Sequence, residues 1–289
     1  AKKVEEIEVA YDTAIDPEQV RAFLKDHPEV KVVCVCHHDT PSGTLNDIDA
    51  IGAVVAEAGA LLLVDAVSSW GGMPTSPTAS QAGIYVTGPN KCLGCPPSLS
   101  LVAVSEAAWA KIESNPDAPF ASMLSLKDWK NAWKKTEPFP FTPSVAELNG
   151  LSAALDRYLD EGPEQVWERH ALTAKICREG IKGMGIELWP ASEDIASPTA
   201  TAVKMPQGID AGIVLKEARA RYGVSMSAGR AETLGKLIRI GHMGPTAQPG
   251  YALLAVSAMG GALKALGAKV DVAAGLAAAQ ATWDAAIDA

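Results

Sequence analysis

Apolar and polar positions follow two rhythms along this chain. Residues 31–36 (KVVCVC) and 61–65 (LLLVD) are short and almost wholly apolar, the pattern of strands buried on both faces of a parallel sheet. Between them Ile48 to Ala58 carries apolar residues at helical spacing and stops at Gly59, a residue suited to a helix C-terminal cap. These three segments predict a strand–helix–strand unit. Residues 84–86 and 99–104 continue the strands, separated by the loop GPNKCLGCPPS. Strands alternating with helices point to an α/β fold with a mostly parallel sheet.

From Pro143 to about Gly185 the spacing turns helical, first in VAELNGLSAALDRYLDEG and then in PEQVWERHALTAKICREGIKGMG. A boundary at Gly162 and Pro163 divides a large domain, 1–162, from a smaller α+β domain, 163–289. The smaller one mixes short strands (Thr201 to Met205, Leu237 to Ile240) with helices. The alanine-rich tail from Leu263 to Ala289 reads as one terminal helical stretch.

Composition then removes several classes of function. The net charge of −9 over 289 residues leaves no basic cluster able to neutralise a run of phosphates, so no nucleic-acid partner is expected. The most basic stretch, Lys127 to Lys135, holds four lysines alternating with Trp129 and Trp133 and is expected to be a solvated helix face. No apolar run reaches the ~18 residues that span a bilayer, and no membrane association is expected. The start, AKKVEEIEVAYD, lacks the apolar core of a signal peptide. Cys92 and Cys95 form a C-x-x-C pair with no second pair at metal-ligand spacing. The five cysteines are therefore read as reduced thiols of a cytoplasmic protein, and no metal site is expected.

In parallel sheets ligands gather at the carboxyl ends of strands, and His37 to Ser42, Asp65 to Ser69 and Thr87 to Lys91 all lie at such ends. Asp65 ends an apolar strand, where a buried carboxylate needs a partner. A protonated pyridinium nitrogen is one such partner; a helix cap or a structural ion pair are the alternatives. Lys91 sits in the small-residue loop TGPNK, where desolvation can make an amine nucleophilic; an ordinary surface lysine is the alternative. Arg239, within the apolar run LIRIG, could grip a substrate carboxylate bidentately or serve a buried salt bridge. Arg230 could add a second contact, though a salt bridge is favoured there. His37 and His38 are adjacent, point to opposite faces of a strand and so suit packing or hydrogen bonding better than a shared metal.

VDAVSSWGG, followed 26 residues after its aspartate by the lysine of GPNKCLGCPPSLSLV, resembles the class V aminotransferases of fold type I. CHHDTPSGTLN and LIRIGHMG match that family in order and spacing. The resemblance covers essentially the whole chain and implies an aspartate-aminotransferase-like fold, the pyridoxal-phosphate-dependent transferase fold type I. It further implies that Lys91 is the Schiff-base lysine and that Asp65 pairs with the ring nitrogen. Thr40 would bond near the ring 3-hydroxyl, Val67 would pack on the ring face, and Arg239 with Arg230 would hold the acid carboxylate. Asn90 stands before the lysine where phosphate-using members have Gln, and Phe139 in PFPFTPS stands at the position of a Tyr, with Thr142 retained. Fewer donors then remain for a phosphate dianion. These departures are similar to the members that treat pyridoxamine as a substrate. The reaction implied is amino transfer from pyridoxamine to pyruvate, giving pyridoxal and L-alanine, with no tightly bound cofactor. Pyridoxal 5′-phosphate as a resident cofactor of alanine–glyoxylate or serine–pyruvate exchange is the alternative, and a non-catalytic pyridoxal-binding subunit the second. Family members carry a further segment ahead of this chain's first residue, so a fragment, or a separate N-terminal chain as partner, is expected. The resemblance also implies a homodimer or homotetramer.

Overall fold

A computed structural model describes residues 3–132, 134, 136 and 139–288. Helix α1 (Pro17–Asp26) opens with Pro17 at its first position, and the Asp16 side chain accepts from the Glu18 amide. Strand β1 (Val32–Cys36) leads to a short hairpin, β2 (His38–Asp39) and β3 (Thr44–Leu45). Helix α2 (Ile48–Glu57) follows, capped by the Asp47 carboxylate on Ala50 N. Then come β4 (Leu61–Asp65), β5 (Ile84–Thr87) and β6 (Leu101–Val104). The sheet order is β1-β4-β5-β6, with the first three strands parallel and β6 antiparallel. Register sets Cys36 beside Asp65, and Asp65 beside Val86.

One face of this sheet carries Val35, Leu62, Val64 and Tyr85, which form a core with Val20 and Leu24 of α1 and with Ile48, Ile51, Val54 and Val55 of α2. Gly52 makes the close approach possible, because a Cβ there would lie 1.9 Å from the Ser80 carbonyl oxygen. The other face carries Val32, Cys34, Cys36, Asp65 and Val102, all exposed. Burial on both faces, expected from the apolar runs, is therefore corrected: α1 and α2 lie on one side only. The edge position of β1 adds to the exposure.

Beyond the sheet lie α3 (Glu106–Ser114), α4 (Leu126–Trp129), α5 (Val145–Glu161) and α6 (Pro163–Gly183). The expected helix face over Lys127–Lys135 is also corrected. Helix α4 is a single turn, Trp129 Nε1 donates to the Met123 carbonyl, and Lys130 lies over the Trp109 ring. Trp133 and Lys135 fall outside the described residues. Gly162, at φ 92°, separates α5 from α6.

The C-terminal part comprises β7 (Ala200–Lys204), α7 (Ala211–Tyr222), β8 (Ser227–Ala228), β9 (Leu237–Gly241), α8 (Pro249–Ala265) and α9 (Val272–Ile287). Its sheet is antiparallel in the order β7-β9-β8. A second core, with Ile176 and Ile181 of α6, Val214, Ile238, Val256, Met259 and Leu263, fills this part. The alanine-rich tail forms two helices, because the chain turns at Gly267 with φ 86°. Among the described residues no helix is long and apolar enough to cross a membrane. The architecture, a mixed sheet with helices followed by a smaller α+β part, agrees with the fold class expected from the sequence.

Candidate active site

The carboxyl ends of β1, β4 and β5 come together on one edge of the sheet, as parallel order requires. Backbone bonds weld them: His37 N donates to Asp65 O at 2.8 Å, and Ala66 N to Val86 O at 2.8 Å. The Thr87 hydroxyl donates to Ala66 O at 3.3 Å.

Asp65 is exposed rather than buried, which corrects the premise that it must be paired within a core. Its Oδ1 accepts from Val67 N at 2.9 Å, a local turn that fixes the carboxylate. Beside Oδ2 stands the Cys36 thiol, at 4.0 Å. Partial desolvation by its neighbours, then the nearby carboxylates, push that thiol up to about 11, so it stays protonated although its residue is exposed. Asp65 forms no ion pair among the described residues. Val67 follows, half-buried, and the Ser68 hydroxyl meets that of Thr40 at 3.1 Å.

Lys91 is half-buried in the loop between β5 and β6, and its amine has no hydrogen-bond or ion-pair partner among the described residues. Asn90 before it turns its amide oxygen back over Gly88, where a Cβ would lie 2.6 Å away. The backbone then curls, with Gly94 N donating to Lys91 O and Cys95 N to Pro89 O, both at 3.0 Å.

Arg239 enters from β9. Its Nη2 donates to Ala228 O at 2.8 Å and its Nη1 to Thr40 O, so the C-terminal sheet is tied directly to the loop after β1. The salt bridge weighed as an alternative is absent among the described residues; its partners are carbonyls, which leave its charge uncancelled. Burial and then the neighbouring Arg230 lower its pKa from the ordinary arginine value, with Asp39 opposing them. Arg230 is exposed and precedes a short 3-10 turn, Ala231–Thr233. Phe139 is half-exposed.

Sequence reasoning missed a buried polar network behind these groups. His38 Nδ1 lies 2.7 Å from the Ser197 hydroxyl and 2.9 Å from that of Thr199, while Thr199 donates to Ser68 O at 2.8 Å. His38 therefore has the hydrogen-bonding role expected of it. Burial, followed by the charges of Lys91, His37 and Arg239, pushes its imidazole down to about 3 and keeps it neutral. The Lys91 ammonium and the Arg239 guanidinium thus both act on His38. Ser197 and Thr199 carry no pattern of their own in SPTATAV, and their separation from His38 along the chain hid them.

The arrangement offers an amine, a carboxylate, a pair of hydroxyls and two guanidinium groups that form no salt bridge among the described residues, though Asp39 lies near enough to act on Arg239. A planar cationic ring and an organic acid match those vacancies in charge.

Residues 1–244 match the family model of the class V aminotransferases. A pyridoxamine–pyruvate transaminase of Mesorhizobium japonicum is 63% identical over 280 residues, which are 97% of this chain and 71% of that protein. A serine–glyoxylate aminotransferase of Methylorubrum extorquens is 33% identical, with 94% and 69% covered. The crystal structure of pyridoxamine–pyruvate aminotransferase from Mesorhizobium loti superposes with a TM-score of 0.95 at 62% identity, covering 98% of this chain and 72% of that one.

Proposed function

The chain belongs to the class V aminotransferases, and on that premise we propose that it transfers the amino group of pyridoxamine to pyruvate, giving pyridoxal and L-alanine. The observation that carries the reading is the 63% identity to a transaminase of that specificity over 97% of the chain. The links within the site give the reading a physical basis: Arg239 bonds Thr40 O, Thr40 meets Ser68 three residues after Asp65, and Lys91 and Arg239 both act on His38.

The residues suit a pyridine ring. Asp65 Oδ2, met by the weak Cys36 thiol donor at 4.0 Å, retains lone pairs to accept a hydrogen bond from a protonated ring nitrogen, and the carboxylate's orientation is fixed through Oδ1. The Thr40 and Ser68 hydroxyls suit a ring oxygen, and Val67 supplies apolar surface for the ring face. When bound, the protonated ring supplies an electron sink at the carbon that loses its proton. Lys91 Nζ would take that proton and deliver it to the carbon on the other side of the transferred nitrogen; it is also the amine that would bond the aldehyde of pyridoxal. Arg239 and Arg230 hold the carboxylate of the acid, with charge-assisted hydrogen bonds. Phe139 in place of a phenol removes a donor, and the shorter amide of Asn90 in place of Gln reaches less far; both favour an unphosphorylated ring. A homodimer or homotetramer is the proposed assembly.

Family membership favours a second reading, with pyridoxal 5′-phosphate as resident cofactor, and the likeness to a serine–glyoxylate aminotransferase supports it. Incubation of the protein with pyridoxamine and pyruvate distinguishes the two. Pyridoxal and L-alanine should form in equal amounts, and dialysed protein should retain no phosphate ester. Lys91→Ala should abolish both turnover and the imine absorbance. Retained turnover in Lys91→Ala would sink the role of the lysine. Exchange only with glyoxylate, with a phosphate that survives dialysis, would select the second reading.

A further inference from the structure

The lysine loop is held from behind by a device that neither the reaction nor the ring site uses. Helix α6 carries Arg169 and His170 side by side, and both grip the turn that follows β9. His170 is fully buried. Its Nδ1 lies 2.7 Å from Val166 O, and a carbonyl only accepts, so Nδ1 carries the proton. Nε2 is then a bare lone pair, and it accepts from Gly244 N at 3.0 Å. Arg169 Nη1 donates to Gly244 O at 3.0 Å and to Ala247 O at 2.8 Å. The rest of its guanidinium is clamped by Glu161, at the end of α5, through Nε and Nη2. Gly244 thus has both its amide proton and its carbonyl oxygen held by adjacent residues of one helix.

What Gly244 touches gives the clamp its consequence. At φ 56°, a Cβ on Gly244 would lie 2.7 Å from Cys92 O and 3.1 Å from Lys91 O. The next residue, Pro245, sits against Gly94, where a Cβ would lie 2.8 Å from its ring. On the other side Gly72 is pressed between Cys92 Sγ, Thr199 and the His170 ring. Residues 91–94 are therefore seated on a turn whose own position α6 determines. The same turn begins three residues after β9, the strand that bears Arg239.

We infer that Arg169 and His170 are positioning residues for Lys91: through Gly244 they set the Lys91–Cys92 backbone, and with it the lysine's placement relative to Arg239. The inference deepens the proposed function and rests on Lys91 being its reactive amine. A reacting amine displaced by about 1 Å can lose on the order of 100-fold in rate.

The test uses the full chain with His170→Leu, which removes the acceptor, His170→Gln, which can restore one, and Arg169→Gln, which loses the two carbonyl contacts without emptying the core. Two quantities are read on each. Hydrogen exchange by mass spectrometry reports residues 91–95 and 243–247 whatever the activity. Stopped-flow absorbance reports imine formation with pyridoxal per folded molecule. His170→Leu and Arg169→Gln should speed exchange in both segments and slow imine formation about tenfold or more, and His170→Gln should recover part of each. A lowered melting temperature with unchanged exchange in 91–95 and unchanged imine rate would reduce the pair to ordinary packing and overturn the inference. If the parent protein forms no imine while exchange responds as stated, the functional reading fails and the clamp stands.

Discussion

At the scale of single residues, the site works through charges that the fold leaves unpaired. Arg239 spends its donors on two carbonyl oxygens, Ala228 O and Thr40 O, which orient the guanidinium without neutralising it. In the proposed function an acid carboxylate would then meet a group already in place. Arg239→Ala should raise KM for pyruvate about 10- to 100-fold, the range for losing charged hydrogen bonds, and leave pyridoxamine affinity unchanged. Steady-state kinetics check this; lost pyridoxamine affinity with an unaltered KM for pyruvate would assign the arginine elsewhere. Lys91, Asp65 and Arg239 stand out in the sequence as candidates because each is an ionisable group in an apolar or small-residue setting. His170 was less so, although Val166, Thr173 and Cys177 at −4, +3 and +7 put it on the buried face of α6. That spacing was the available sign, and it reads as core without saying what the imidazole holds.

At the scale of elements, close approach decides more than propensity. The strand–helix–strand unit was readable because apolar blocks of five residues bounded a helical stretch with a glycine at its end. Which faces those blocks bury was not, since an edge strand and a central strand look alike in one dimension. Helix α2 shows the point from the other side. Its Gly52 has poor helix propensity, yet the helix backbone passes so near Ser80 O that no Cβ fits. Gly52→Ala should therefore destabilise the protein, by about 3 kcal/mol if the loop shifts as overpacked sites do. Urea unfolding would measure it; a stabilised variant, as propensity alone predicts, would show that the loop yields freely.

At the scale of the whole molecule, buried histidines tie stability to acidity. Burial is the first cause in each case: His37 is pushed down to about 4, and His38 and His242 to about 3. In the unfolded chain each has the ordinary value near 6.5. As pH falls below about 6.5 the unfolded state binds protons that the folded state refuses, so stability is lost progressively toward pH 3 to 4. The thermal midpoint should fall steadily from pH 7 to 4.5; a level or rising midpoint would contradict these depressed values. None of this was visible in composition, because five histidines in the chain say nothing about burial.

The bond from Arg239 to Thr40 has a further consequence in polymer terms. It closes a separation of 199 residues, whereas Cys36 and Asp65 meet across 29. By the logarithmic law for loop closure the longer circuit costs about 1.7 kcal/mol more chain entropy. The end of the site proposed for the ring nitrogen, at Asp65, is thus drawn from near neighbours in the chain, while the end proposed for the acid, at Arg239, depends on a long-range closure.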